Sequence, residues 1–206
     1  MAAATFVESK VNGRGGHAAV QHQAGDTSLV ASHVVVAVQS IVSRNVDPLK
    51  ALVVSICGMR SDSDTFNVIP EEIILRGTVR YFDPLVQTQI INRLKVLAEN
   101  TANAFGASAE VAYMPCVPPT INSPEAAARA AEVALIISGS VIRDQDPVMP
   151  GEDFADMLAE RPGAFLFIGN GDSAALHNPA YEFNDDAIPA GCSWFAEMAE
   201  SRMPMA

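Results

Sequence analysis

The chain has 206 residues, of which 49% are hydrophobic and 18% charged, a composition typical of folded globular proteins rather than disordered ones. Its formal net charge of −11 argues against nucleic acid and membranes as partners, because phosphate binding needs clustered Lys and Arg side chains. No apolar run approaches the roughly 20 residues that span a bilayer, and Met1–Lys10 lacks the basic start and apolar core of a signal peptide.

The three cysteines are Cys57, Cys116 and Cys192, an odd number at wide spacing with no CxxC pair. This usage is typical of a reducing compartment, and it favours thiols that are packed rather than functional. We therefore expect a cytoplasmic protein.

Strand and helix patterns alternate along the first half of the chain. Glu72–Phe82 alternates with a strand's period of two, Asp83-Pro84 is a typical helix start, and Asp26 or Thr27 can cap an earlier helix. Such patterns predict the elements Thr5–Val11, Thr27–Asn45, Ala51–Cys57, Glu72–Phe82, Pro84–Phe105 and Ser108–Tyr113. The order β-α-β-β-α-β predicts a complete ferredoxin-like α+β domain over residues 4–116, with two helices on one face of a four-stranded antiparallel sheet.

Val117-Pro118-Pro119 separates this unit from the rest of the chain. Beyond it the patterns predict helices at about 124–138, 152–160 and 186–201 and a strand at Ala164–Ile168. The run Gly163–Gly169 is almost continuously apolar, which is typical of a strand buried on both faces of a parallel sheet. No partner strand is predicted beside it, so its backbone N–H and C=O groups would lack hydrogen-bond partners. Residues 117–206 are therefore interpreted as an incomplete part of a larger α/β domain.

Two of the four histidines have plain interpretations. His33 lies on the apolar face of the first helix, where it is expected to pack, and His22 is expected to be a solvated loop residue. His17 follows the segment Gly13-Arg14-Gly15-Gly16, whose glycines permit a tight backbone path and the close approach of a ligand. This segment is either a simple glycine turn or an anion site in which Arg14 and His17 present their cations.

His177 lies in a loop after the predicted buried strand, where open α/β sheets place their ligands. Imidazole is the commonest transition-metal ligand, but a single histidine cannot hold a catalytic zinc ion, which usually needs three protein ligands. Because no HxxxH or HExxH motif supplies the others, we do not expect a metal site wholly inside this chain.

Four further residues carry polar groups, and three of them have two interpretations each. Glu152 and Asp153 begin a predicted helix, where carboxylates either complement the helix dipole or take part in catalysis. Arg80, on the partly polar face of its strand, is either a surface charge or a guanidinium fork that binds a carboxylate. Asn67 lies in the polar loop that precedes this strand.

Taken together, these segments resemble the M20 metallopeptidase family, and most closely its aminoacylase and hippurate-hydrolase branch of amidohydrolases. Each motif is weak alone, but all of them occur in the family's order and span almost the whole chain. The motifs are GRGGHAA followed by His22, TFNVIP at 65–70, RGTVRYFD at 76–83, GEDF at 151–154, and PGAFLFIGNG followed by LHNPAYEFND at 176–185.

The resemblance implies hydrolysis of the amide bond of N-acyl amino acids or small peptides by water activated on divalent metal ions (Zn, Mn, Co or Ni). It implies that residues 4–116 are the lid and dimerisation domain of a homodimer, and that residues 117–206 belong to the catalytic domain. His17 would stabilise the oxyanion, Asn67 with Arg80 would hold the substrate carboxylate, typically in the partner's active site, and His177 would be a metal ligand. Glu152 and Asp153 would lie near the site without an assigned role.

One departure from the family pattern is large. The family's HDGH- or CDxH-like motif, its general-base glutamate and a further metal-binding histidine normally precede the lid, and none of them is found before His17. We therefore expect the isolated chain to be inactive. Two alternatives stay open: a non-catalytic module for dimerisation or carboxylate binding, and one half of a split enzyme.

Overall fold

The structure, a computed structural model, describes residues 1–203. The chain divides into two compact units. The first contains Met1–Thr120 and Pro147–Ala155, and the second contains Ile121–Asp146 and the chain from Asp156 onward. Each unit is described by itself.

The first unit is built on a four-stranded antiparallel sheet. Its elements are β1 (Ala3–Asn12), β2 (Gly16–His17), α1 (Thr27–Val38), β3 (Leu52–Ser61), β4 (Val68–Ile69), β5 (Glu72–Tyr81), α2 (Pro84–Ala104) and β6 (Ser108–Val117). The sheet has the strand order β3-β5-β1-β6, and β2 and β4 form a separate two-stranded ladder. The predicted combination of an antiparallel sheet with helices is confirmed.

The alternation in β5 shows why these residues form a sheet with one buried face. Ile73, Leu75, Val79 and Tyr81 are all buried, as the period of two predicts. They join apolar residues of α1, α2 and the other three sheet strands in one hydrophobic cluster. The core of the first unit therefore lies between this face of the sheet and the two helices.

Helix α1 begins at an aspartate cap, since the Asp26 carboxylate accepts a hydrogen bond from the Leu29 N–H at 3.0 Å. The face of this helix on which His33 was expected to pack is not buried, since its Leu29 and Val36 are exposed. His33 is also exposed, and its ring stacks on that of Phe105 at a centroid distance of 4.6 Å. The buried face of this helical stretch consists of Thr27, Val30, Ala31, Val34, Val38 and Ile41.

The helical stretch Thr27–Asn45 has the predicted length, but it is more apolar than expected. It has 19 residues, and an 18-residue window within it has a mean hydropathy of 1.2, so length and composition alone would allow it to cross a membrane. The expectation that no apolar run approaches that length is therefore wrong. Val34 and Ile41, among others in this stretch, belong to the hydrophobic core, as they would in the core helix of a folded domain.

The second unit is largely helical. It contains α3 (Pro124–Ser138) and α5 (Ala187–Arg202), while α4 (Phe154–Glu160) begins in the first unit and continues into the second. These bounds agree closely with the predicted helices. Within the unit, the Trp194 indole N–H donates to the Ala130 carbonyl at 3.0 Å, and this bond links α5 to α3.

The prediction of a strand at Ala164–Ile168 is wrong, because this segment forms neither a strand nor a helix. A strand exists only when a neighbour pairs with it, and no strand lies beside this segment in the described part of the chain. The Asn122 side chain takes the place of a neighbour: its amide nitrogen donates to the Phe165 carbonyl at 3.0 Å, and its oxygen accepts from the Phe165 N–H at 2.8 Å. Phe167 and Ile168 remain more than half exposed.

The cysteines also differ from expectation. All three are free thiols and all three are exposed, so the prediction of packed thiols is wrong. Cys57 and Cys116 lie on β3 and β6, the two edge strands of the sheet, and Cys192 lies on α5, a helix without buried residues.

Candidate functional site

The ladder formed by β2 and β4 places His17 beside Asn67. His17 pairs with Val68 in this ladder, and the Ala18 N–H donates to the Asn67 carbonyl at 3.0 Å. Both His17 and Asn67 are exposed, and Phe66, next to Asn67, is fully exposed. The structure therefore brings together two of the predicted site residues on one accessible edge, called here the His17–Asn67 edge.

Glycines are required before His17 because the chain is tightly packed there. A Cβ atom at Gly15 would lie 3.1 Å from the Ile69 carbonyl oxygen, and one at Gly16 would lie 2.9 Å from the Ala24 Cβ. The adjacent Arg14 carbonyl accepts a hydrogen bond from the Gly25 N–H at 2.7 Å. These contacts fix the backbone path that leads to His17.

The orientation of the His17 ring follows from one hydrogen bond. Its Nδ1 atom accepts from the Ala19 N–H at 3.1 Å. A neutral imidazole with an accepting Nδ1 carries its proton on Nε2. The exposed side of His17 therefore presents an N–H donor, the group that would stabilise developing negative charge on oxygen.

Arg80 lies far from the His17–Asn67 edge. It is near the opposite end of β5, where it pairs with Ala4 and Val53. Eight residues separate Arg80 from Glu72 at the start of β5, which corresponds to about 26 Å at about 3.3 Å per residue. One chain therefore does not bring Asn67 and Arg80 onto the same carboxylate.

The Arg80 guanidinium is half-buried, and it forms no hydrogen bond or ion pair with any of residues 1–203. Arg76 on the same face differs, since its Nε donates to the Glu8 carboxylate at 2.8 Å. A Cβ atom at Gly151 would lie 2.9 Å from the Arg80 Nη1 atom. The GEDF segment therefore packs directly against an unpaired cation.

Neither acid of the GEDF segment, Glu152 or Asp153, forms an ion pair with Arg80. The Glu152 carboxylate accepts from the Phe154 N–H at 3.3 Å, a contact of the kind that carboxylates make at helix starts. Asp153 is exposed. The geometry gives Glu152 a local structural contact, and neither acid contacts another predicted site residue.

His177 lies on a loop that an asparagine closes. The Asn170 side-chain nitrogen donates to the Glu182 carbonyl at 2.7 Å, and its oxygen accepts from the Asn184 N–H at 2.8 Å. His177 is exposed within this loop and has a φ of 67°, which is uncommon for a residue with a side chain. Such strain is typical of loops whose conformation serves a site.

The described residues do not by themselves fit a catalytic metal ion. Within residues 1–203, no three His, Cys, Asp or Glu side chains come together in an arrangement that could hold one. His177 thus lacks the companion ligands that a catalytic zinc ion requires. His22, the histidine nearest to His17 in sequence, lies exposed in the short 3₁₀ turn Ala18–Gln23.

Comparison with known proteins identifies the family of this chain. The model of peptidase family M20/M25/M40 matches residues 3–201. The chain belongs to this family. The resemblance predicted from the five motifs is therefore confirmed.

The relatives include enzymes that act on N-acylated amino acids. The chain is 34% identical over 200 residues to an N-acetyl-L-cysteine deacetylase of Bacillus subtilis, covering 97% of this chain and 48% of the relative. It is 33% identical over 208 residues to the IAA-amino acid hydrolase ILR1-like 2 of Arabidopsis thaliana, covering 97% of this chain and 47% of the relative. The chain thus spans about half the length of the curated relatives it matches.

A solved structure gives the same result. A dinuclear metal-binding peptidase of family M20 from Bacillus subtilis superposes with a TM-score of 0.73 at 25% identity, covering 100% of this chain and 52% of that protein.

The sequence patterns did not predict the β2–β4 ladder or the contact between Gly151 and Arg80. Two-residue strands carry no periodic signal, and the second contact joins residues 71 positions apart.

Proposed function

We propose that this chain carries the lid and the C-terminal part of the catalytic domain of a metal-dependent amidohydrolase. Residues 4–116 would be the lid and dimerisation domain, and the strand order β3-β5-β1-β6 supports its ferredoxin-like assignment. Residues 117–206 would be the catalytic-domain segment. The substrates would be N-acyl amino acids or small peptides, in keeping with the deacetylase and hydrolase relatives.

The observation that carries this proposal is the orientation of His17. An Nε2–H donor on an exposed ring, beside the exposed Asn67, suits an oxygen that gains negative charge while an amide bond is cleaved. The bond from Ala19 to Nδ1 holds the ring before substrate arrives, so little reorganisation would be needed during the reaction. His17 is therefore the proposed catalytic residue of this chain.

Arg80 is the proposed carboxylate-binding residue, with Asn67 as a second contact to the substrate. Its unpaired guanidinium can form the two parallel hydrogen bonds that a carboxylate accepts. The separation of about 26 Å along β5 means that one chain would supply these residues to two different substrates. In a two-fold homodimer, each active site would receive Arg80 from one chain and the His17–Asn67 edge from the other.

The metal chemistry would come mainly from outside the described residues. His177 would provide one metal ligand, and the other ligands and the general base would belong to a segment not among residues 1–203. The isolated chain would then neither hold two metal ions nor hydrolyse substrate. We also propose a cytoplasmic location, in line with the three free thiols.

The test is complementation. The pure chain is loaded with Zn²⁺, Mn²⁺, Co²⁺ or Ni²⁺, and hydrolysis of N-acetyl amino acids and hippurate is measured with and without the separately expressed N-terminal half of the Bacillus subtilis deacetylase. We expect turnover only in the mixture. His17→Ala should lower it by about 100- to 1000-fold, the usual effect of removing one oxyanion donor, whereas His22→Ala should leave it unchanged.

Three outcomes would contradict the proposal. Turnover by the chain alone would show that it is complete, and a stable complex of the two halves without turnover would reject the amidohydrolase assignment. Equal losses in the two histidine variants would remove the special role of His17.

The alternative function is a non-catalytic carboxylate-binding and dimerisation module. The half-buried, unpaired Arg80 on a self-contained fold favours it. A stable dimer that binds an N-acyl amino acid without metal, and loses binding in Arg80→Gln but not in Arg76→Gln, would support this alternative.

A further inference from the structure

Thr27 is a fully buried polar residue at the first position of α1. Its hydroxyl oxygen lies 2.7 Å from the Pro70 carbonyl oxygen and 3.2 Å from that of Gly25. A hydroxyl has one hydrogen to donate, and the shorter contact identifies Pro70 as its main acceptor. Pro70 is the last residue of the TFNVIP segment, which carries Asn67.

The same hydroxyl also supports the segment that carries His17. A Cβ atom at Gly13 would lie only 2.3 Å from the Thr27 Oγ1 atom and 3.2 Å from its Cβ atom, so the backbone of Gly13 packs directly on this side chain. The Gly13 N–H donates to the Glu71 carbonyl at 2.9 Å, just beyond Pro70. One buried side chain therefore touches both segments at the point where they approach each other.

We infer that Thr27 is a positioning residue for the His17–Asn67 edge. It holds segments 13–17 and 65–70 at the spacing that allows the Ala18 N–H to reach the Asn67 carbonyl. Thr27 is buried and touches no substrate, so it acts only through the two segments. The functional meaning rests on the proposed roles of His17 and Asn67, whereas the structural coupling does not.

The experiment removes the hydroxyl and then restores it. Thr27→Val keeps the shape but leaves the Pro70 carbonyl without its donor, while Thr27→Ser keeps the hydroxyl and loses only a methyl group. Thr120→Val is the matched control, because the buried Thr120 Oγ1 has no hydrogen-bond partner within residues 1–203. Hydrogen exchange of the Ala18 amide and the position of the His17 ring Cε1–Hε1 signal are measured by NMR on the full chain.

We expect Ala18 exchange to become about tenfold faster in Thr27→Val, the change in local opening that corresponds to one lost hydrogen bond. The His17 signal should move with it, while exchange at Val7 and Val79 in the sheet stays as in the unchanged protein. Thr27→Ser and Thr120→Val should both resemble the unchanged protein.

The inference is overturned if Ala18 exchange and the His17 signal do not change in Thr27→Val. It is equally overturned if Thr27→Ser behaves like Thr27→Val, or if all sheet amides exchange faster together, because the effect would then be general loss of stability. Hydrogen exchange does not depend on turnover. If exchange changes as expected in Thr27→Val but the His17→Ala variant is fully active, only the proposed catalytic role of His17 is rejected.

Discussion

The two units of this chain differ in how many large apolar side chains each buries within itself. In the first, large side chains such as Leu75, Val79 and Ile90 are fully or almost fully buried within one cluster. In the second, the buried hydrophobic residues of the described part are only Ala130, Ala131 and Val133, and none lies on α5. Both units have regular helices, so helix formation does not distinguish them.

The difference shows that regular helices can form in a unit that lacks a large hydrophobic core. In the second unit, two asparagine side chains, Asn122 and Asn170, bond to backbone groups of distant segments. Such hydrogen bonds contribute about 1 kcal/mol each, whereas burial of a large apolar side chain contributes about 1.5–3 kcal/mol. The first unit is therefore expected to hold most of the stability of the chain.

The largest expected effect on stability comes from truncating a buried side chain in the core of the first unit. Ile90→Ala should lower the free energy of unfolding by about 2–5 kcal/mol, because it removes a side chain that is 0% exposed. Phe195→Ala in the second unit, where this residue is 71% exposed, should change the free energy of unfolding by no more than about 0.5 kcal/mol. Urea unfolding followed by circular dichroism gives both values, and similar losses would contradict the comparison.

A second prediction uses Trp194, the single tryptophan of the chain, as a reporter of the second unit. Its fluorescence should change at a urea concentration about 1 M lower than the circular-dichroism transition, since a unit less stable by a few kcal/mol unfolds first. In Ile90→Ala the two midpoints should approach each other. Coincident transitions in the unchanged protein would show that the units unfold together.

The smallest effect concerns the start of α2. The Leu85 N–H donates to the Asp83 carboxylate and, with the Lys50 ammonium at 3.1 Å, holds the pKa of Asp83 below its ordinary value of 3.8. A lowered pKa means that the contribution is present above pH 3.8 and is lost as the pH falls below that value. Asp83→Ala should therefore lower the Tm at pH 7, and this difference should shrink at pH 3.

Lys50→Ala is the control, since it removes the ammonium but leaves the cap. It should lower the Tm less than Asp83→Ala does. A difference between Asp83→Ala and the unchanged protein that stays constant from pH 7 to pH 3 would contradict this account.

Much of the secondary structure of both units was predictable from sequence because its signals are local. The alternation of β5, the Asp83-Pro84 start of α2 and the bounds of α3 all depend on neighbouring residues. The strand at Ala164–Ile168 could not be predicted correctly, because its apolar run encodes burial but not the presence of a partner strand. Forming a strand is a property of two segments.

The candidate site was predictable only in its residue types. His17, Asn67 and Arg80 were found through motifs, but the adjacency of the first two depends on a ladder of two residues per strand. The distance between Arg80 and the His17–Asn67 edge follows from the length of β5, since a strand of ten residues places its ends far apart. The exposure of Cys57 depends on an edge strand with a register shift between Ile56 and Gly58, which no local pattern announces.

The hydrogen bond from Ala19 to His17 also has a chemical consequence. It occupies the lone pair of Nδ1, and the other ring nitrogen, Nε2, carries the proton. Acylation needs a free lone pair on a ring nitrogen, so the ring would react with an acylating reagent only after the bond from Ala19 to Nδ1 breaks. The backbone thus protects His17 from such reagents, and the rate of acylation would report how often the turn from His17 to Ala19 opens.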